Sequence, residues 1–131
     1  MGVTQHAVDG HGCGQKATKA AISLADSVEN ACLIVFTRRG LAATQAAVLR
    51  PERAAIFAFS NDPVVVRQLA LARDVTAFES PFLKDPARMI STALDLLKEK
   101  GLISSGQPVV IQGDSLQGEL LADSIIFMRV E

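Results

Sequence analysis

The chain has 131 residues and a mass of 13.9 kDa, a size at which one domain buries about two-thirds of its unfolded surface. Thirteen basic residues nearly balance fourteen acidic ones, and no apolar run approaches the ~18 residues of a membrane span. We therefore expect a protein that binds neither nucleic acid nor membrane. With six Phe, no Trp and no Tyr, the chain also offers little for stacking bases or sugar rings.

The cysteine count and the N-terminal residues bear on the cellular compartment. Cys13 and Cys32 cannot form a disulfide framework, and a domain of this size needs none. Residues 1–6 have neither a charged segment nor an apolar core, so we expect no signal peptide. These features predict a cytoplasmic protein.

Residues 1–14 are polar and rich in glycine, and we expect a flexible N-terminal arm there, followed by a single domain over residues 15–131. The arm contains four potential metal ligands, namely His6, Asp9, His11 and Cys13. Structural zinc sites usually take their ligands from two pairs on separate turns. We therefore favour a flexible arm over a metal site and expect no cofactor.

The first half of the domain alternates helices with buried strands. Apolar residues recur at helical spacing over residues 15–30, and residues 32–36 form an unbroken apolar run typical of a strand buried on both faces. A second helix is predicted over residues 41–49, ending at Arg50-Pro51, and a second buried strand over residues 54–59.

The second half repeats this alternation with clearer helix boundaries. Asp62-Pro63 and Asp85-Pro86 each predict an N-cap followed by proline in the first helical turn. A third strand is predicted over residues 74–78, and Gly101 is expected just beyond the C-cap of the last helix. Strands four and five are predicted at residues 108–112 and 124–130.

Strands that alternate with helices imply a parallel sheet covered on both faces. The last connection differs, because only eleven residues, 113–123, separate strands four and five, and they carry no helical stripe. A parallel crossover needs about a dozen residues, which form a helix. We therefore predict that strand five is an antiparallel edge strand beside strand four.

The candidate site is the segment Thr37-Arg38-Arg39-Gly40, which follows the first strand and precedes a helix. Open α/β sheets bind ligands at this end, where free backbone N–H groups and the helix dipole attract anions. Thr37 can donate its hydroxyl, the two guanidinium groups add charge, and Gly40 leaves room for a ligand. The segment predicts an anion site, and the alternative is a pair of solvated surface arginines.

Two further loops follow strands at the same end. Asp114 lies in the loop after strand four and would face the anion segment if strands one and four are neighbours, so it joins the candidate site. Ser60-Asn61-Asp62 follows strand two, and helix capping explains it. We find no Ser-His-acid set and no His beyond residue 11, so we expect no catalytic residues.

Several segments match one known domain in their order and spacing. They are residues 33–40 (LIVFTRRG), 50–61 (RPERAAIFAFSN), 66–71 (VRQLAL), 101–111 and 125–126. Over residues 17–130 the chain resembles the C-terminal domain of pyruvate kinases. The resemblance implies a three-layer α/β/α fold with strand order 3-2-1-4-5 and an antiparallel fifth strand, in agreement with the argument from loop length.

The resemblance also implies a regulatory domain without catalysis, because catalytic and metal-binding groups of the family lie on a barrel domain that this chain does not resemble. We therefore expect a stand-alone domain and not a complete pyruvate kinase. In many members this domain binds an allosteric phosphosugar through a loop with the pattern Thr-x-x-Gly-x-Ser/Thr. Thr37 and Gly40 match that pattern, whereas Ala42 and Arg39 replace hydroxyl residues.

Glu119 and Asp123, in the loop before the last strand, would repel a second phosphate. We therefore expect a small ligand with one phosphate or another anionic group, bound by Thr37, Arg38, Arg39, Gly40 and Asp114. C-terminal domains of the family also contribute to subunit contacts. An assembly module, acting as a homodimer or in trans with a kinase subunit, is the alternative, and a small enzyme on the same loop is a third.

Overall fold

The computed structural model describes residues 10–37, 43–44, 46–47, 54–72, 75–81, 85–113 and 124–131. Within these ranges helices and strands alternate along the chain. In order they are α1 (Gly10–Ser27), β1 (Cys32–Phe36), β2 (Ala55–Ser60), α2 (Pro63–Leu69), β3 (Val75–Glu79), α3 (Pro86–Glu99), β4 (Pro108–Gly113) and β5 (Ser124–Arg129). Residues 43, 44, 46 and 47 are also helical, and the remainder of the helix predicted over residues 41–49 lies outside the described residues.

The five strands form one sheet in the order β3-β2-β1-β4-β5. β1 pairs in parallel with β2 and β4, β2 pairs in parallel with β3, and β4 pairs with β5 in the antiparallel direction. Both the predicted strand order and the antiparallel edge strand are confirmed.

The sheet separates two apolar layers, because alternate residues of each central strand point to opposite faces. In β1, Ile34 packs with the layer that contains α3, whereas Leu33 and Val35 pack with the layer that contains α1, α2 and the helical residue Ala43. All five β1 residues are buried, which explains the unbroken apolar run in the sequence.

The predicted helix boundaries of α2 and α3 are confirmed. Asp62 Oδ1 accepts a hydrogen bond from Val64 N at 2.9 Å, and Asp85 Oδ1 accepts one from Ala87 N at 3.1 Å. Gly101, with φ of 75°, follows the C-cap of α3 and donates its N–H to Lys98 O at 3.0 Å. Such a left-handed residue is the usual end of a helix, and glycine adopts it without steric cost.

α1 differs from its prediction over residues 15–30, because it begins at Gly10 and ends at Ser27. Residues 10–14, predicted as part of the arm, are helical. Glycine lowers helix propensity by about 1 kcal/mol per residue relative to alanine, and the helix nevertheless begins at Gly10; α1 as a whole contacts β1, β4 and β5.

The four residues suggested as metal ligands lie within residues 6–13. His6 and Asp9 lie outside the described residues, as do the side chains of His11 and Cys13. Elsewhere in the described ranges, no group of three or more His, Cys, Asp or Glu side chains could hold a metal ion. None of the described helices is both long and apolar enough to span a bilayer.

Candidate functional site

The carboxyl ends of β2, β1 and β4 lie side by side at one edge of the sheet. From β1 the chain continues to β2 on one side, whereas β4 lies on the other side, so the strand order reverses between β1 and β4. Open α/β sheets bind ligands outside the carboxyl ends of the strands at such a switch point. The predicted anion segment begins here, because Thr37 directly follows β1.

Thr37 is held firmly at this position. It is 0% exposed, and its N–H donates a hydrogen bond of 2.9 Å to Phe59 O, which extends the pairing of β1 with β2 by one residue. The other predicted site residues, Arg38, Arg39, Gly40 and Asp114, lie outside the described residues.

Two other polar side chains lie on the same face of the sheet as Thr37. Phe36 is opposite Phe59, so the next residues along these strands, Thr37 and Ser60, are neighbours on β1 and β2. Gln112 on β4 is opposite Val35, which lies two residues before Thr37 and therefore on its face. Ser60 is 0% exposed and Gln112 is 1% exposed.

Gln112 connects this group to α1. Its Nε2 donates a hydrogen bond of 2.9 Å to Oγ1 of Thr18, which is fully buried. Its Oε1 is buried and has no hydrogen-bond partner among the residues that the structure describes. We call Thr18, Thr37, Ser60 and Gln112 the polar floor.

The polar floor stands out against an apolar background. Leu33 and Val35 precede Thr37, and Val110 precedes Gln112, on the same face of the sheet, and all three are buried. Of the five buried polar residues within the described ranges, only Ser80 lies outside the floor. Burying a polar group costs free energy unless its hydrogen bonds are replaced, and within the described ranges Oε1 of Gln112 is the floor's one buried polar side-chain atom without a hydrogen-bond partner.

Sequence reasoning missed three members of the floor. Helix capping accounts for Asp62, which is the N-cap of α2, whereas Ser60 is a buried residue at the end of β2 whose Oγ accepts a hydrogen bond of 3.2 Å from Asp62 N. Gln112 ends the predicted fourth strand and Thr18 lies in the predicted first helix, and neither is a predicted site residue. The available signal was a polar residue at the end of an apolar strand, as in the run Val109-Val110-Ile111-Gln112.

Comparison with known proteins agrees with this architecture. The sequence model of the family described as "Pyruvate kinase, alpha/beta domain" matches residues 15–124. The chain belongs to this pyruvate kinase domain family. Its resemblance to pyruvate kinase C-terminal domains, predicted from the segments above, is thereby confirmed.

The relatives of this pyruvate kinase alpha/beta domain are much longer proteins. The chain is 32% identical over 98 residues to the chloroplastic pyruvate kinase isozyme A of Nicotiana tabacum, covering 75% of the chain and 16% of that protein. It is 37% identical over 82 residues to the chloroplastic isozyme G of Ricinus communis, covering 63% of the chain and 19% of that protein. The chain thus spans less than a fifth of either relative.

Solved structures show the same relationship. A crystal structure of a pyruvate kinase from Cryptosporidium parvum superposes with a TM-score of 0.76 and 27% sequence identity, covering 90% of the chain and 23% of that protein. A second crystal structure of Cryptosporidium parvum pyruvate kinase gives a TM-score of 0.75.

Proposed function

We propose that this domain is a non-catalytic regulatory module that binds a small phosphorylated or otherwise anionic metabolite at the loop after β1. The observation that carries the proposal is the polar floor at the switch point of the sheet. Open α/β sheets take their ligands outside the carboxyl ends of the strands at a switch point, and these hydroxyl and amide groups lie at that end of the sheet. A purely structural core would have apolar residues at these positions. Val35 and Val110, which lie two residues before Thr37 and Gln112 on the same face, are apolar.

The residues next to the floor supply the charge. Thr37 has a hydroxyl group. Arg38 and Arg39 follow it directly in the sequence, so two guanidinium groups are available to bind an anion next to Thr37. Gly40 permits close approach of the backbone to a phosphate, and Asp114 would accept a hydrogen bond from a hydroxyl of the metabolite. We propose one phosphate, because the carboxylates of Glu119 and Asp123 in the sequence before β5 would repel a second.

The relatives' catalytic activity is not part of this proposal, because the chain spans less than a fifth of their length. We also propose a cytoplasmic location for the domain. The thiol of Cys32 is free and buried, which suits a reducing compartment.

Binding can be tested by thermal unfolding with inorganic phosphate and a series of sugar monophosphates. We expect a ligand-dependent rise in Tm for the unsubstituted domain, because a ligand that binds only the folded state stabilises it. Arg39→Ala should abolish the rise. Arg67→Ala removes an exposed arginine from the last turn of α2 and should leave it unchanged. An equal rise in the Arg39→Ala variant would contradict the site, and no rise with any of the ligands would contradict the function.

A specific observation also favours the alternative function of self-assembly. β5 is an edge strand, and its residues Ile125 to Met128 form a continuous apolar run. Phe127 in that run is 46% exposed, and Arg129 is the strand's single charge. Exposed edge strands are usually protected by charge, proline or a covering segment, because their free backbone groups pair with other strands. We propose that β5 joins two copies of the domain.

Light scattering of the purified domain tests this assembly. We expect a dimer at micromolar concentration and a monomer for Phe127→Ser. Leu71→Ser is the matched control, because Leu71 is 88% exposed but precedes β3 at the opposite side of the sheet. This variant should remain a dimer. A monomeric unsubstituted domain, or the same change in both variants, would contradict pairing through β5.

A further inference from the structure

The side-chain amide of Gln112 is only half satisfied. Nε2 donates to Thr18 Oγ1 at 2.9 Å, whereas Oε1, on a residue that is 1% exposed, has no partner within the part of the chain that the structure describes. An unpaired buried acceptor costs more than an apolar group of the same shape. Val110, two residues earlier on the same face, shows that this strand accepts an apolar side chain.

Gln112 lies close to Thr37, where the ligand is proposed to bind. Gln112 is the second-last residue of β4 and lies opposite Val35, on the strand next to Thr37 and on the same face. One strand spacing and two residues separate its backbone from that of Thr37, a distance of about 8 Å. A glutamine side chain spans more than half of it, so a group seated beside Thr37 comes within its reach.

We propose that Gln112 is a specificity-determining residue whose amide oxygen accepts a hydrogen bond from the bound ligand. The inference rests on the proposed anion site and adds a selection rule to it. A group that can only accept favours an oxyanion that carries an O–H over one that does not. The site therefore prefers hydrogenphosphate, or a phosphorylated metabolite with a free hydroxyl, to a fully deprotonated anion of the same shape and charge such as sulfate.

Inorganic phosphate and sulfate make the appropriate pair of probes. At mildly alkaline pH the main form of phosphate is the hydrogenphosphate dianion. It has the same charge and tetrahedral shape as sulfate, but one of its oxygen atoms carries a proton. Titration calorimetry on the full chain should give affinity for phosphate about tenfold above that for sulfate, the size expected when a buried acceptor gains or lacks its partner. This comparison needs no variant.

The variant Gln112→Met then tests whether the preference for phosphate over sulfate depends on Oε1 of Gln112. Methionine keeps the length of the side chain and removes the acceptor, so affinity for phosphate should fall to that for sulfate, which should itself stay unchanged. Thr18→Val is the control for a purely structural role, because it breaks the same hydrogen bond and leaves Oε1 in place. Because Thr18 belongs to the polar floor, we expect this variant to bind both anions more weakly but to retain the ratio of the two affinities.

The outcomes separate this inference from the proposal on which it rests. Equal affinity of the unsubstituted chain for the two anions overturns the role of Gln112 and leaves anion binding intact. A Gln112→Met variant that retains the preference does the same, and so does a Thr18→Val variant that loses it. If the unsubstituted chain binds neither anion, the proposed function fails and the role of Gln112 fails with it.

Discussion

Gln112 Nε2 lies 2.9 Å from the hydroxyl oxygen of Thr18 and donates a hydrogen bond to it, which joins β4 to α1 across 94 positions of sequence. Both side chains are buried within an otherwise apolar layer. The bond therefore fixes how α1 sits against β4, next to the edge of the sheet at which we place the ligand.

Thr18→Val should destabilise the domain by about 1–3 kcal/mol, because it leaves Gln112 Nε2 buried and unpaired. Gln112→Met should cost less than this, because it removes the buried amide together with the need for partners. Urea unfolding of both variants gives the comparison.

Thr44→Val serves as the control, because Thr44 is helical but exposed. Its unfolding free energy should change by less than about 0.5 kcal/mol. A loss for Thr18→Val no greater than that of the control would show that the buried bond contributes little.

The N-caps of α2 and α3 should each contribute measurably to stability. Asp85→Ala removes the oxygen that accepts the Ala87 N–H, and it should cost about 1 kcal/mol in unfolding free energy. Asp85→Asn retains an acceptor and should cost less. Asp95→Ala changes an exposed aspartate within the same helix and provides the control. If Asp85→Ala and Asp95→Ala were equally stable, the cap would not contribute.

The sequence was sufficient for the topology because short-range signals defined it. The eleven residues between the predicted fourth and fifth strands are too few for a parallel crossover, and the Asp-Pro pairs fixed the starts of α2 and α3. α1 was placed less well, since three glycines argued against a helix over residues 10–14, whereas the helix begins at Gly10.

The polar floor could not be predicted in the same way. Thr18 and Gln112 are separated by most of the chain, and Ser60 and Thr37 become neighbours only through the register of β1 with β2. Thr37 alone was found, because it belongs to a local segment with two arginines and a glycine. Long-range register, which periodicity does not encode, determines which polar residues share a face.

We expect that Gly101 is needed because it adopts a left-handed backbone conformation, and not because a larger side chain would clash with its neighbours. Its φ is 75°, and a Cβ atom there would meet no atom within 4 Å. Gly101→Ala should therefore cost about 1 kcal/mol through backbone strain alone. Gly101→Asn should cost less, because asparagine tolerates the left-handed region better than alanine does. Thermal and urea unfolding would check this order, and an alanine variant as stable as the unsubstituted domain would contradict it.

Cys32 should be chemically inert in the folded domain. Burial raises the pKa of its thiol from 9.0 to about 12, so the nucleophilic thiolate is scarce at neutral pH. In a Cys13→Ser background, a thiol-specific reagent should label Cys32 only after the domain unfolds in urea. Labelling of the folded protein at the rate of the unfolded chain would show that the thiol is accessible.

The same pKa shift should make stability depend on alkaline pH. Above about pH 9 the unfolded chain loses the Cys32 proton, whereas the folded domain retains it until about pH 12. The folded state then binds more protons than the unfolded state, so the free energy of unfolding falls as pH rises through this window and is unaffected below it. Cys32→Ala should be less stable at neutral pH, because it leaves a small cavity, but it should lose less stability between pH 9 and pH 12. Parallel alkaline slopes for the two proteins would contradict this assignment, because every other titrating group is common to both.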